Sequence, residues 1–351
     1  MHLPGISVVI VSYNEEKNMA DCLNSLQALD YPEEKLEILV VDSSSDKTPD
    51  IVRSYQKVRL LLSNCRDFPV VRNMGLRSAS HELVAFLDAD CIATPDWLNR
   101  LVPKITLPDV AAVGCNAYPP PDSPFLGKCF ACLGKPAGGA IGFDSEVEFL
   151  TRGVNWIGSC CSLYRKSWAL KVGGFDESLQ YGKEDVNLCE RFLQAGYVIE
   201  YEPDVFVYHK TRNTFRQFIP WAFRRGKSQF HATKSTLIQI LLEPFSVLWL
   251  FIVLIAFVVT PSRNLVPLAL LALLLMLVVS IGLFRGSLHR HFPSGCKKFK
   301  LLVERRRRIG VNAGIIFFFI IPLFYLDRMI INLALLYSKV KIHGSPGKSA
   351  I

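Results

Sequence analysis

The feature that most limits what this chain can fold into is an alternation repeated along its first hundred residues. A largely β-branched run at 6–11, interrupted only by Ser7, leads through a polar turn at 12–16 to Met19, Leu23, Leu26 and Leu29 at helical spacing. The same order recurs at 36–41, before a helix from Thr48, and at 83–87, before a helix from Pro95, with a shorter run at 59–62. Runs that are apolar at nearly every position, without polar alternation, leave no solvent face, so they predict strands of a mostly parallel sheet covered by helices on both sides. Ligands of such sheets bind beyond the carboxyl ends of the strands, which draws attention to the polar residues that follow each run. These are Tyr13, Asn14 and Glu15, then Asp42 with Ser43, Ser44 and Ser45, then Asp88 and Asp90.

Further strands are expected at 110–115, 155–164 and 197–208, the last ending in His209. A helix over 182–195 opens with Lys183, Glu184 and Asp185, and the Pro- and Gly-rich stretch 119–142 reads as a mobile loop. Beyond residue 235 the pattern changes to long apolar runs at 236–260, 264–284 and 313–337, which raise the hydrophobic content to 50%. A membrane span takes about 20 apolar residues. Residues 244–260 and 265–284 therefore read as a transmembrane hairpin, and 313–337 as a third span despite Asp327 and Arg328.

The net charge of +9 is concentrated beside these runs: 209–235 holds seven Lys/Arg and no acid, and 285–312 holds nine and one. Basic clusters flanking apolar spans face an anionic cytoplasmic leaflet, so no nucleic-acid partner is expected. The aromatic and basic faces of 214–234 suggest a helix lying at the membrane surface, with an ordinary domain helix as the alternative. The expected organisation is a domain at 1–209, an interfacial segment at 210–235 and a membrane region at 236–351 with a basic cytoplasmic loop at 285–312. Ten cysteines without a secretory signal argue for reduced thiols, and Cys129 with Cys132 lacks a second pair at zinc-like spacing.

Asp88 and Asp90 converge if the chain is extended there, because a spacing of two puts both side chains on one side. Two carboxylates suit a hard divalent cation, Mg²⁺ or Mn²⁺, that keeps positions open for diphosphate oxygens. The surrounding motifs carry a resemblance. The run Ser7-Val-Val-Ile-Val-Ser-Tyr-Asn-Glu-Glu16, then Ile38-Leu-Val-Val-Asp42, Arg72-Asn-Met-Gly75, Phe86-Leu-Asp-Ala-Asp90, Val172-Gly-Gly-Phe-Asp-Glu177 and Lys183-Glu-Asp185 resembles family 2 of the inverting nucleotide-sugar glycosyltransferases. It covers about residues 6–209 and implies an A-type glycosyltransferase fold, Rossmann-like, here followed by transmembrane helices.

The resemblance implies roles residue by residue. Tyr13, Glu15, Asp42, Arg72 and Asp88 match nucleotide-sugar positions, and Asp90 with Asp88 match the metal motif. His209 is a further candidate for the metal or diphosphate, with packing against the sheet as its alternative. Asp185 matches the base that takes the acceptor hydroxyl proton, and Glu184 a supporting or acceptor-side position. For Glu15, for Arg72 and for the acid pair the alternatives are helix capping, a surface helix arginine and N-terminal helix charge.

Two departures concern the first motifs, where Val11 replaces a frequent Pro and the three serines replace a more acidic run. A third is Gln217-Phe-Ile-Pro-Trp221, which lacks the Arg of the processive Gln-x-x-Arg-Trp signature and so disfavours processive synthesis. The expected activity is transfer of a sugar to a polyprenyl phosphate or lipid-linked glycan by an integral protein of the cell membrane, or of the ER membrane in a eukaryote, with a cytoplasmic catalytic domain. The alternatives are extension of a cell-surface polysaccharide and, in another class, an inactive membrane scaffold or export component. A sugar-phosphate nucleotidyltransferase would carry a Gly-rich phosphate loop, which 13–16 is not.

Overall fold

The computed structural model describes residues 3–131, 152–179, 182–210, 212–232 and parts of 323–338. Strand β1 (Ile6–Ser12), helix α1 (Met19–Gln27), β2 (Leu36–Asp42), α2 (Thr48–Arg53), β3 (Val58–Leu62), α3 (Phe68–Ser78) and β4 (Leu83–Asp88) form the first half. The second half is β5 (Cys91–Ala93), α4 (Trp97–Ile105), β6 (Val110–Tyr118), α5 (Phe125–Ala131), β7 (Cys161–Arg165), α6 (Lys166–Lys171), α7 (Glu184–Gln194) and β8 (Val198–His209). The apolar runs have the expected cause. Along β1, Ile6, Val8 and Ile10 join the core on one side of the sheet while Val9 and Val11 join that on the other. β4 divides in the same way, with Leu83, Ala85 and Leu87 opposite Val84 and Phe86. Each fully buried Val or Ile contributes roughly 1.5–3 kcal/mol, so a strand buried on both faces is the better anchored.

The eight strands run in the order β3-β2-β1-β4-β7-β6-β8-β5. The four on the β3 side are parallel, as expected, but β7 is antiparallel to both β4 and β6, and β5 to β8, while β6 and β8 are parallel. The sheet is thus mixed, because apolar patterning marks a strand as buried without giving its direction. Two local expectations also change. Helix α5 occupies part of the stretch read as a loop, and β7 begins only at Cys161, preceded by bends and a turn.

Gly75 sets how closely α3 approaches the sheet, since a Cβ there would fall on Val9 Cγ1 and crowd Val41. The consequence is that α3 lies close enough for its second turn to reach across the ends of the strands.

A second unit holds α8 (Phe215–Ala232) and helical residues between 323 and 338. A Cβ on Gly226 would meet Ala334 Cβ and the Ile331 carbonyl, so these two helical segments pack backbone to backbone. The spans expected at 244–260 and 265–284, the loop 285–312 and most of 313–337 lie outside the described residues. Among the described residues no helix is long and apolar enough to cross a membrane.

Candidate active site

The polar residues that follow the strands gather where the sequence placed them, but by a different route. β4 ends at Asp88, and Ala89 and Asp90 form a turn, so the two carboxylates do not converge by strand alternation. They converge on a ring. Pairing of β5 with β8 sets Cys91 opposite His209, and this imidazole reaches both acids. Its Nε2 lies 3.7 Å from Asp88 Oδ2 and its Nδ1 3.6 Å from Asp90 Oδ1. Burial disfavours the imidazolium, but Asp90 and Asp88 outweigh it and raise the His209 pKa.

Asp88 is also held from the other side by Arg72, whose Nη2 lies 3.3 Å from Asp88 Oδ1 while Nη1 bonds Glu184 Oε1. Burial would raise the Asp88 pKa, yet the His209 ring and the Arg72 charge hold it below the usual carboxylate range. Arg72 was read as a nucleotide or phosphate contact, with a surface arginine as the alternative. It is 5% exposed and its guanidinium is committed to two carboxylates, so it stands in the site as a bridge between β4 and α7. Glu184 is equally buried, and its Oε2 has no hydrogen-bond partner among the described residues.

Asp185, beside it, is partly buried and accepts a hydrogen bond from the Val186 N–H at 2.8 Å. Burial first, and the neighbouring Glu184 charge second, push its pKa up to about 6, against the opposing pull of Arg72 and of the Val186 and Ser159 N–H groups. A carboxylate with that pKa is ionised at neutral pH and is a better proton acceptor than an ordinary aspartate. The turn that presents it is strained: Lys183, which caps α7, has φ of 72°.

Across the sheet, Asn14 is likewise in the left-handed region, at φ 57°. Its backbone N–H bonds Ser44 Oγ at 2.7 Å, and its Oδ1 accepts from the Ser45 N–H at 2.9 Å. Asp42 is fully buried and accepts from the Ser12 hydroxyl, the Ser44 hydroxyl and the Ser44 N–H. Its carboxylate therefore orients Ser44, while Ser43 bonds the Cys65 carbonyl and Ser45 bonds Asn14. The Glu15 N–H bonds Thr48 Oγ1 at 2.9 Å, and its side chain accepts from Asn18. Burial and the Asp90 charge raise its pKa. Tyr13 is exposed, with the Arg66 guanidinium 4.6 Å above its ring.

Several residues of the site carried no signal in isolation. Asn73 donates from Nδ2 to the Phe175 carbonyl at 2.7 Å and accepts the Phe175 N–H at 2.8 Å, while Arg191 donates to the Val172 and Gly174 carbonyls. The Val172–Glu177 motif is thus a clamp that joins α3 to α7 and keeps Arg72 against Glu184. A cleft of about 430 Å³, lined by Asn73, Arg77, Phe175, Glu177 and Arg191 among others, opens beside this clamp and contains none of the candidate site residues. Cys160 is the other omission. The Asp88 N–H donates to its carbonyl at 3.4 Å, one step past the Leu87↔Cys161 pair, so the β4·β7 register brings it to the metal motif.

Asp88 at the end of β4, Asp90 in the turn that follows and His209 at the end of β8 offer hard oxygens and one imidazole nitrogen, a combination that suits Mn²⁺ or Mg²⁺ with places left for phosphate oxygens. The residues fit.

Residues 7–171 match the pattern of glycosyl transferase family 2. Glycosyltransferase AglE of Haloferax volcanii is 31% identical over 239 residues, which cover 65% of this chain and 73% of that protein. The poly-beta-1,6-N-acetyl-D-glucosamine synthase of Staphylococcus aureus is 28% identical over 275 residues, 72% of this chain but only 64% of the synthase. Among solved structures, the mannosyltransferase PcManGT from Pyrobaculum calidifontis, in complex with GDP-Man and Mn²⁺, superposes with a TM-score of 0.56 at 19% identity. The match covers 99% of this chain and 89% of that one, and it indicates the same A-type fold.

Proposed function

Because the chain belongs to glycosyl transferase family 2, we propose that it transfers a sugar, with inversion, from a nucleoside-diphosphate sugar to a membrane-presented acceptor, a polyprenyl phosphate or lipid-linked glycan. The observation that carries the reading is the Arg72 bridge, which ties Asp88 at the end of β4 to Glu184 at the start of α7. One ion-pair network thereby fixes the donor end and the acceptor end of the reaction relative to each other, as a one-step displacement requires.

In this reading the loops after β1 and β2 hold the nucleotide. Tyr13 and Glu15 contact the base and ribose, and Asp42 acts through Ser44, which it orients. Asp88, Asp90 and His209 hold Mg²⁺ or Mn²⁺, which when bound supplies positive charge for the leaving diphosphate. Asp185 takes the proton of the attacking hydroxyl, and Glu184 supports it: burial and then the Glu184 charge keep Asp185 basic, and Arg72 keeps Glu184 in place. A mannosyltransferase bound to GDP-Man and Mn²⁺ supports the donor and cation class.

The membrane location rests on the apolar and basic patterning beyond residue 209, with the catalytic domain on the cytoplasmic side. The likeness to a polysaccharide synthase supports a second reading, extension of a cell-surface polysaccharide. Pro220, standing where the processive signature has Arg, argues against the processive form of it.

The test is a panel of radiolabelled UDP- and GDP-sugars given to native membranes carrying wild type or Asp185→Asn. Label should enter the lipid fraction with wild type only. Equal labelling by the variant would remove Asp185 as the base, and no labelling from any donor would remove the lipid acceptor.

A further inference from the structure

The register that sets Cys160 beside Asp88 gives the metal motif a ligand that hard-cation chemistry does not call for. One donor atom each from Asp88, Cys160 and His209 lies within 4.8 Å of the others, and Cys160 and His209 are almost fully buried. Ligands around a tetrahedral zinc ion, at about 2.0–2.3 Å from it, are separated from one another by about 3.3–3.7 Å. The 3.7 Å between His209 Nε2 and Asp88 Oδ2 is already such an edge.

A second trio, Asp90, Cys91 and His209, competes for the same ring. The ring decides between them. His209 Nδ1 is 3.3 Å from the Lys210 carbonyl, which can only accept, so this contact places a hydrogen on Nδ1 and leaves the Nε2 lone pair as the ligand. Nε2 faces Asp88, and with it the trio that contains Cys160 rather than Cys91.

We infer that Asp88, Cys160 and His209 form a binding site for a thiophilic divalent cation of the zinc class, sharing Asp88 and His209 with the proposed Mn²⁺ or Mg²⁺ site. This rests on the proposed function only for its consequence, which is inhibition by zinc. Thiolate and imidazole ligands favour Zn²⁺ over Mn²⁺, so zinc binds at the expense of the ion the diphosphate needs. On binding, a Cys160 S–Zn bond forms and the thiol proton leaves to solvent. Three protein ligands leave one tetrahedral position, too few for a chelated diphosphate. Cys160 adjoins Ser159, whose backbone helps to hold the Asp185 pKa down, so the ion would sit between the donor end and the base.

The experiment is a CdCl₂ titration of the purified, metal-free full chain, read by the ultraviolet thiolate-to-cadmium charge-transfer band. Because the chain has ten cysteines, the quantity read is the difference between wild type and Cys160→Ser. Wild type and Cys91→Ser should show a one-equivalent band that Cys160→Ser lacks, and His209→Gln, which keeps the thiol but removes a ligand, should weaken cadmium binding by at least the roughly 10–100-fold that loss of an outer-shell partner costs. A band of full amplitude in Cys160→Ser, or unchanged affinity in His209→Gln, overturns the site. In sugar transfer driven by MnCl₂, the ZnCl₂ concentration for half-inhibition should rise about tenfold or more in Cys160→Ser relative to wild type, each against its own zinc-free rate. A band without any sugar transfer leaves the cation site standing and removes the function. Manganese-driven transfer with no band removes the cation site alone.

Discussion

Replacing Asp185 with Asn should abolish sugar transfer and make the protein more stable. Its carboxyl titrates at about 6 instead of the ordinary 3.8, because burial and the Glu184 charge oppose its ionisation. One pKa unit corresponds to about 1.4 kcal/mol, so keeping this group ionised costs the folded state about 3 kcal/mol. The direction follows from linkage. A carboxyl whose pKa is raised by folding carries no penalty below about pH 3.8, where it is protonated in both states. The penalty grows between 3.8 and 6 and is complete above 6. That penalty already includes the opposing attraction of Arg72, and Asn keeps an oxygen to accept the Val186 N–H, so the net gain at pH 7.5 should be about 2–3 kcal/mol.

For a unit of about two hundred residues, each kcal/mol moves Tm by about 2–4 °C. Thermal unfolding of both proteins at pH 4, 5.5 and 7.5 should show a gap of several degrees at 7.5 that closes towards pH 4. No gap at 7.5, or an equal gap at 4 and 7.5, would refute the reasoning, since only a titrating penalty disappears on protonation.

Three further outcomes are expected. The kcat/KM profile should lose activity below about pH 6 as Asp185 is protonated, and in Glu184→Gln that limb should move to lower pH; a limb that stays put removes Glu184 as a cause. Arg72→Met should cost about 3–5 kcal/mol in denaturant unfolding, because Glu184 and Asp88 would be left as buried or half-buried charges without their partner; a loss below about 1 kcal/mol would mean that the bridge is not an energetic link. Gly75→Ala should cost about 1–3 kcal/mol by overpacking against Val9, read as a lowered urea midpoint; an unchanged midpoint would mean that α3 can move off the sheet at no cost.

The first four parallel strands and the residues at their ends were legible in the sequence because both are local properties. An apolar run states that a strand is buried, and the next polar residue states where it stops. What was not legible depends on pairings between distant segments. The direction of β7, and with it the placement of Cys160 against Asp88, is a matter of register with β4, about seventy residues away. Arg72 and Glu184 are 112 positions apart, and neither side chain by itself distinguishes a buried bridge from a phosphate contact. The Asp88–Asp90 convergence was foreseen for a reason that does not hold: the two acids meet through His209 and a turn, not through extended alternation.

The strain in the chain has the same distribution as the unfavourable ionisation. Among the described residues the two non-glycine positions with positive φ are Asn14 and Lys183, one in the loop after β1 and one at the start of α7. Such conformations cost of order 1–3 kcal/mol each and persist only where surrounding contacts enforce them. For Asn14 the enforcers are identifiable: they are Ser44 and Ser45, while the Asn73 and Arg191 clamp on the Val172–Glu177 motif anchors the far half of α7. Local motifs that looked like separate ligand contacts therefore include supports for a strained turn after β1 and for the helix that carries a reluctant carboxylate. This is why a stabilising substitution is expected at Asp185, the residue proposed as the base, and a destabilising one at Arg72.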